Sequence, residues 1–227
     1  MNIINSIKEL TKFEKRLWIC SVIVVTGSYL FSGEFYWLTL VASLIGVTAL
    51  IFVARGNVLG QVLSVLFGIA YAIVSLKFRY YGEMITYLGM TAPIALLSIY
   101  TWIKNPYKDS SQVRVHKITP PQIAILGVTA IAVTVIFYFI LRYFNTANLI
   151  ISTISITTSF TASALMMLRS PYYAIAYALN DIVLIVLWIL ASMENISYLP
   201  MIMCFVMFFI NDIYGFISWQ KMCKEQQ

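Results

Sequence analysis

Charged residues are scarce in this chain, at 11% of its 227 residues, whereas a soluble domain carries about 25%. The single histidine, His116, and the three scattered cysteines give neither the ligand spacing of a metal site nor a disulfide framework. Neither a serine-nucleophile motif nor a phosphate-binding glycine loop is present. Nothing in the sequence therefore argues for a metal, another cofactor or an enzyme.

Long apolar runs make up most of what is present, since 61% of the residues are hydrophobic. A membrane-spanning helix needs about 20 apolar residues. Seven apolar runs reach this length. An eighth run, Leu17–Phe31, is shorter and needs the side chains of Lys15 and Arg16 to reach the interface. The sequence predicts an integral membrane protein, and the seven full-length spans are Tyr36–Ala54, Val58–Leu76, Glu83–Trp102, Pro121–Leu141, Leu149–Leu168, Tyr172–Met193 and Tyr198–Trp219.

Basic residues lie mainly between these runs and predict the orientation of the chain. With eight spans and a cytoplasmic N-terminus, 12 Lys and Arg residues fall on the inside, and only Lys77, Arg79 and Arg142 fall outside. This asymmetry predicts cytoplasmic N- and C-termini. It is typical of a topology signal, so we expect a lipid bilayer rather than nucleic acid as the surroundings of the chain.

The longest loop divides the chain into two halves with three consecutive spans each. The third helix of each half ends with a small residue four positions before a tryptophan, Ser98 before Trp102 and Gly215 before Trp219. We therefore expect an all-α integral membrane protein, a 3+1+3 parallel-repeat helical bundle of seven core transmembrane helices plus one extra N-terminal transmembrane helix. The expected units are 1–34 (amphipathic N-terminus and extra helix), 35–104 (first three-helix bundle), 105–145 (cytoplasmic loop and linking helix) and 146–227 (second three-helix bundle and short tail).

A carboxylate at membrane depth is the first candidate for a functional side chain. Asp181 lies near the middle of its span, where an Asp costs about 2.5–3.5 kcal/mol and normally faces a cavity or the bundle interior. Tyr177, Asp181 and Trp188 share one helical face. Two rings beside a carboxylate suit a flat, polar heteroaromatic ligand. The alternative is that Asp181 bonds a neighbouring helix and the rings are ordinary packing.

The last span supplies a second polar candidate. Asn211 and Gly215 share a face with Tyr214 beside them, so we expect the Asn211 amide to meet the ligand. Asp212 is turned about 100° away and is expected to contact another helix. Asn180 is likewise expected to be structural.

Aromatic residues of the first half complete the candidate set. Phe67 and Tyr71 share one helical face, and Tyr87 lies on the next helix. They either line an aromatic pocket or pack as core. The predicted substrate-binding residues are Asp181, Asn211, Tyr177, Trp188, Tyr214, Phe67, Tyr71 and Tyr87.

With these residues in view, the sequence resembles the PnuC family of bacterial vitamin and nucleoside transporters from Tyr36 to Lys224. The most specific segments are "YYGEM" from Tyr80, "Pro93 … Trp102" and "NDIYGFISWQK" from Asn211. The family's Asn or Asp on the sixth core helix matches Asp181, and its following aromatic matches Trp188.

The resemblance implies a bacterial inner-membrane protein with a SWEET-like arrangement of two three-helix bundles, and it suggests assembly as a homotrimer. It implies facilitated diffusion of an unphosphorylated substrate, usually nicotinamide riboside, which a cytoplasmic kinase then traps. Related members carry thiamine, riboflavin or deoxynucleosides.

The chain departs from the nicotinamide riboside pattern in the expected lining. Two tryptophans common before the Asp or Asn are Ala174 and Tyr177 here, and an asparagine of the second core helix is Phe67. Asn and Gln positions of the third core helix are Tyr87 and Ala95. Another nucleoside, such as a deoxyribonucleoside, is therefore a second substrate candidate. Proton-coupled symport of thiamine or a similar vitamin, through Asp181 or Asp212, and a ligand-sensing membrane receptor are the alternative functions.

Overall fold

The computed structural model describes residues 7–32, 36–77, 80–108 and 110–227, and over these ranges the architecture is all-helical. Two isolated backbone bridges, Asn57 to Gln112 and Pro106 to Val113, fold the loop after the fourth helix back on itself and onto the start of the third. Within the described ranges, eight long helices form the bundle: α1 (Lys12–Ser28), α2 (Trp37–Ala54), α3 (Val58–Lys77), α4 (Tyr81–Ile103), α5 (Pro120–Tyr143), α6 (Leu149–Met167), α7 (Tyr173–Glu194) and α8 (Leu199–Glu225).

Seven of the described helices, α2 to α8, are long and apolar enough to cross a bilayer. Their positions confirm the seven full-length spans expected from the sequence, and they identify a multi-pass membrane protein. α1 has 17 residues and is shorter than all seven, so an eighth span stays a prediction.

We call α2, α3 and α4 the first helix group and α6, α7 and α8 the second. α3 contacts both α2 and α4, and α7 contacts both α6 and α8. The groups meet where α2 contacts α8 and where α4 contacts α6. α1 packs on α2 and α8, so it covers one of these two seams between the groups.

The linking helix α5 packs mainly against α6 and lies at the outside of the bundle. Only 6% of an apolar 18-residue stretch of α5 is buried within the chain, whereas the corresponding share is 33–56% for the other six spans. Most of its apolar surface therefore faces lipid or a neighbouring molecule.

Equivalent turns connect the first two helices of each group. After α2, Gly56 has a left-handed φ of +68°, and the backbone N–H of Asn57 donates to Phe52 O at 2.9 Å. After α6, Arg169 takes the same region with φ +58°, and the N–H of Ser170 donates to Leu165 O at 2.9 Å. Both are αL helix ends in which the chain turns back at once into the next helix.

Candidate functional site

A small cavity lies between the two groups of helices. Its lining comes from α2, α3 and α4 on one side and from α6, α7 and α8 on the other. Its volume is about 60 Å³, enough for a few water molecules but well below the roughly 300–1,000 Å³ of a typical ligand pocket. The cavity is therefore a contracted site rather than an open channel.

Two carboxyl groups meet at the cavity, and we call Asp181 and Asp212 the acid pair. They are 2% and 3% exposed, and their side chains lie within hydrogen-bonding contact of each other. Adjacent helices α7 and α8 supply one acid each. Asp181 Oδ2 is buried and has no hydrogen-bond donor among the described residues.

Neutral polar groups surround the acid pair. The hydroxyls of Tyr177 and Ser163 are 2.8 Å apart, and Thr158 donates to Asn180 Oδ1 at 2.8 Å. These bonds fix the side chains of α7 against α6. Ser64 from α3 adds a further hydroxyl across the cavity.

Aromatic rings form the opposite wall. The ring centroid of Phe67 lies 5.3 Å from that of Phe208 and 5.9 Å from that of Tyr87. Gly46 makes room for this wall, because a Cβ there would lie 2.3 Å from Phe208 Cζ. The cavity thus offers flat apolar surface on one side and acids on the other.

A π-turn in α4 helps to set the position of Tyr87. Over Tyr87–Thr91 the helix widens, and the N–H of Ala92 donates to Tyr87 O, five residues back. Pro93 follows and has no N–H to continue the α-helical ladder, which explains why the helix is irregular here. Such π-turns are common at functional sites.

One end of the cavity is closed by two tryptophans, Trp102 and Trp219, which we call the tryptophan closure. Trp102 Nε1 donates to Met166 O at 3.1 Å, and Trp219 Nε1 donates to Val53 O at 2.9 Å. Each bond joins one helix group to the other. The two rings lie 5.5 Å apart, directly beyond cavity-lining Val53 and Met166.

The other end is closed by Tyr71, Tyr80, Tyr198 and Trp188, which we call the tyrosine closure. Trp188 Nε1 donates to Tyr71 OH at 3.0 Å, again across the two groups. The Trp188 ring lies 5.1 Å from Tyr80 and 5.7 Å from Tyr198. Both ends of the cavity are therefore sealed by aromatic contacts between the helix groups.

Comparison with known proteins decides the family. A family model described as "Nicotinamide mononucleotide transporter" matches residues 36–221, which is most of the chain. The chain belongs to this family. The PnuC resemblance carried by the sequence motifs is thereby confirmed.

Two PnuC proteins illustrate the relationship. The nicotinamide riboside transporter PnuC of Neisseria mucosa is 25% identical over 219 residues, covering 94% of this chain and 83% of that protein. The crystal structure described as the vitamin B3 transporter PnuC aligns with a TM-score of 0.83 at 24% identity, over 96% of this chain and 94% of that one. The structural likeness establishes that this chain has the PnuC fold.

Four of the eight predicted binding residues meet at the cavity of this PnuC family member: Asp181, Tyr177, Phe67 and Tyr87. Tyr71 and Trp188 are fully buried and bond each other in the tyrosine closure instead of lining the cavity. They border the site at one end.

The remaining two predicted residues face α1, and the expectation that Asp181 and Asn211 share one cavity is wrong. Asn211 Nδ2 donates to Ser21 Oγ at 2.9 Å and to Met207 O at 2.7 Å. Tyr214 OH donates to Glu14 Oε1 at 2.9 Å. The reason is that α1 covers this face of α8.

Two residues expected to be structural lie at the cavity, namely Asp212 and Asn180. One signal in the sequence could have found Asp212. Phe205, Phe208 and Asp212 recur at helical spacing on α8, and all three line the cavity. One step along a helix turns a side chain by about 100°, so Asp212 reaches the cavity because its neighbour Asn211 faces α1.

Proposed function

We propose that this chain carries nicotinamide riboside, or a closely related unphosphorylated nucleoside, across the membrane by facilitated diffusion. The observation that supports this most directly is the cavity, in which aromatic rings oppose the acid pair. A flat heteroaromatic ring would stack on Phe67 and Tyr87, while its polar or cationic edge would meet Asp181. The names of the PnuC relatives point to the same substrate class.

The charge of the cavity favours a nucleoside over a mononucleotide. Among the described residues that line it, none is Lys, Arg or His, and two are acids. A phosphate group would therefore face two carboxyls without a compensating cation. The same exclusion would keep a substrate inside the cell once it had been phosphorylated, which fits the cytoplasmic kinase that the family resemblance implies.

The binding site proper is proposed to comprise Asp181, Tyr177, Phe67 and Tyr87, with Asp212 added. Tyr71 and Trp188 would act at its edge as part of the tyrosine closure. Asn211 and Tyr214 would hold α1 on α8 rather than contact the ligand.

Movement of the two helix groups would open the site. The cavity is too small for a nucleoside, so entry requires the groups to separate at one closure while the other stays shut. The equivalent turns after α2 and α6 and the two cross-group tryptophan bonds support a 3+1+3 repeat that rocks about the cavity.

The setting is proposed to be the bacterial inner membrane with both termini cytoplasmic, as the distribution of basic residues predicts. This places the tryptophan closure on the cytoplasmic side and the tyrosine closure outside. A homotrimer is proposed from the family resemblance, and the exposed apolar surface of α5 is available for contacts between copies. Native mass spectrometry of the purified protein tests that assembly.

Uptake by proteoliposomes tests the transport proposal. Labelled nicotinamide riboside should enter saturably, and nicotinamide mononucleotide should not. Ala95→Leu, which fills the cavity, should abolish uptake, whereas the matched change Ala124→Leu on the exposed face of α5 should not alter it. Uptake that is equal for both compounds, or unaffected by Ala95→Leu, would exclude the proposed site. Deoxyribonucleosides and thiamine should be tested in the same assay, because the lining residues differ from those of the nicotinamide riboside pattern.

The acid pair also favours a second candidate, proton-coupled symport of a vitamin such as thiamine. Carboxyls that face a transport cavity are the groups that carry protons in coupled transporters. Collapse of uptake when an imposed pH gradient is dissipated would identify symport, whereas facilitated diffusion responds only to the substrate gradient.

A further inference from the structure

The described groups around the acid pair are acidic or neutral, and none is a cation. The titratable groups that face it are Tyr87 from α4, Tyr173 and Tyr177 from α7, and Cys204 from α8. The lining residues of α2, α3 and α6 are all uncharged. Glu83 of α4 lies near Tyr87 and adds a third acid to the surroundings. Among the described residues, no cation faces the pair.

Two buried carboxylates in contact cannot both stay ionised under these conditions. The desolvation cost of each charge and their mutual repulsion add, and no positive group offsets either one. A single proton shared between the two carboxyls removes one charge and supplies the hydrogen bond that joins them. The arrangement then carries one negative charge at the cavity, which both acids line.

We propose that the acid pair is a proton-binding site whose occupancy decides the charge of the ligand that the cavity accepts. With one proton, the pair carries a single negative charge that a monocationic ligand neutralises. With two protons, the pair is neutral and suits an uncharged ligand. When a cation binds to the doubly protonated pair, one carboxyl O–H bond breaks and the proton passes to water.

This inference rests on the proposed function, because it assumes that the ligand of the cavity is nucleoside-sized. It adds Asp212 as a residue that determines specificity together with Asp181. It also predicts that the negative charge is not fixed to either acid. One remaining acid should be able to hold it when the other is replaced by asparagine.

Nicotinamide riboside and its reduced form provide matched probes, because the first has a cationic ring and the second has a neutral ring of nearly the same shape. Binding of each to the purified full-length protein is measured by calorimetry from pH 5.5 to 8. As the pH falls and the pair takes up its second proton, the Kd of the cation should rise, approaching tenfold per pH unit. The Kd of the neutral form should fall over the same range.

Four proteins are compared: wild type, Asp181→Asn, Asp212→Asn and the double variant. They distinguish a negative charge that either acid can hold from one that only a single acid can hold. Wild type and both single variants should keep opposite pH trends for the two probes. The double variant should bind the neutral form independently of pH and lose its preference for the cation. Glu225→Gln, which replaces an exposed acid, serves as the control and should match wild type.

Parallel or flat pH trends in wild type, with both probes bound, would overturn the inference and leave the proposed function intact. Loss of cation preference in Asp181→Asn alone, with Asp212→Asn unchanged, would also overturn it. If neither probe binds to wild type, the proposed function fails, and infrared spectroscopy still decides the question of the shared proton. Wild type at neutral pH should show the C=O stretch of a protonated carboxyl that the double variant lacks; absence of that band in wild type would refute the shared proton.

Discussion

At the scale of single residues, the neighbours Asn211 and Asp212 face different parts of the molecule. Asn211 bonds Ser21 on α1, so we expect Asn211→Ala to lower the melting temperature through loss of about 0.5–1.5 kcal/mol of hydrogen bonding. It should leave the affinity for nicotinamide riboside unchanged, as measured by calorimetry.

Phe67→Ala is the contrasting change, since it removes a proposed stacking ring from the cavity wall. Loss of ring stacking costs about 1–3 kcal/mol per base, so affinity should fall roughly 5- to 150-fold. An Asn211→Ala protein that binds the riboside as weakly as Phe67→Ala would return Asn211 to the binding site.

Glycine packing gives a second prediction for a single residue. A Cβ at Gly60 would lie 2.4 Å from the backbone nitrogen of Val53, so α3 would have to move away from α2. Gly60→Ala should therefore destabilise the protein by about 1–3 kcal/mol, the usual cost of overpacking. Gly127→Ala on α5, where a Cβ meets nothing within 4 Å, is the matched control and should melt no lower than wild type.

At the scale of helices, α1 is held on α2 and α8 by the carboxylate of Glu14. Glu14 pairs with Arg55 at 3.0 Å and accepts from Tyr214 at 2.9 Å. Burial alone would raise the pKa of Glu14, but hydrogen bonds from Thr11 and Tyr214 and the charge of Arg55 lower it below its usual 4.5. Its stabilising effect is therefore present at neutral pH and is lost as the pH falls through that lowered value.

Glu14→Gln removes this attachment and should loosen α1. We expect the cleavage of α1 by a protease added to the purified protein to be faster than in wild type, because the ion pair between Glu14 and Arg55 is lost. Glu225→Gln, which breaks only the exposed pair with Lys221 at 3.8 Å, should leave the cleavage rate unchanged. Equal rates in wild type and Glu14→Gln would mean that the other contacts of α1, such as the Asn211–Ser21 hydrogen bond, are enough to hold it.

The sequence predicts the bounds of the helices well, but not the direction in which each helix face points. The spans were found within a few residues, as for Val58–Leu76 against α3, because the length of an apolar run depends on local sequence alone. The rotation of each helix about its axis depends on its neighbours. The sequence did not reveal that α1 covers Asn211, and for this reason Asp212 was assigned to the wrong face.

Aromatic residues illustrate the same limit. Tyr177 and Trp188 were expected to line one site because they share a helical face, yet they lie at different depths. Tyr177 reaches the cavity, and Trp188 lies further along α7 at the tyrosine closure. Helical periodicity predicts the face of the helix on which a side chain lies. It does not predict whether that face meets a cavity or a packed neighbour at a given depth.

At the scale of the whole molecule, three indole N–H groups join the two helix groups across the closures. Trp102 and Trp219 donate to backbone carbonyls at one end, and Trp188 donates to Tyr71 at the other. A change to phenylalanine keeps a ring but removes one such bond, worth about 0.5–1.5 kcal/mol. Each change should therefore shift the population opened at its own end by about two- to tenfold.

Thiol labelling measures these shifts separately. The reporter is Ala95→Cys in the cavity, in a background where Cys20, Cys204 and Cys223 are replaced. Trp102→Phe or Trp219→Phe should speed its modification by a membrane-impermeant reagent added from the cytoplasmic side, whereas Trp188→Phe should speed modification only from outside. Reversed sides would invert the proposed topology. Equal acceleration from both sides by any one variant would mean that the closures do not open alternately, and the rocking of two helix groups would have to be abandoned.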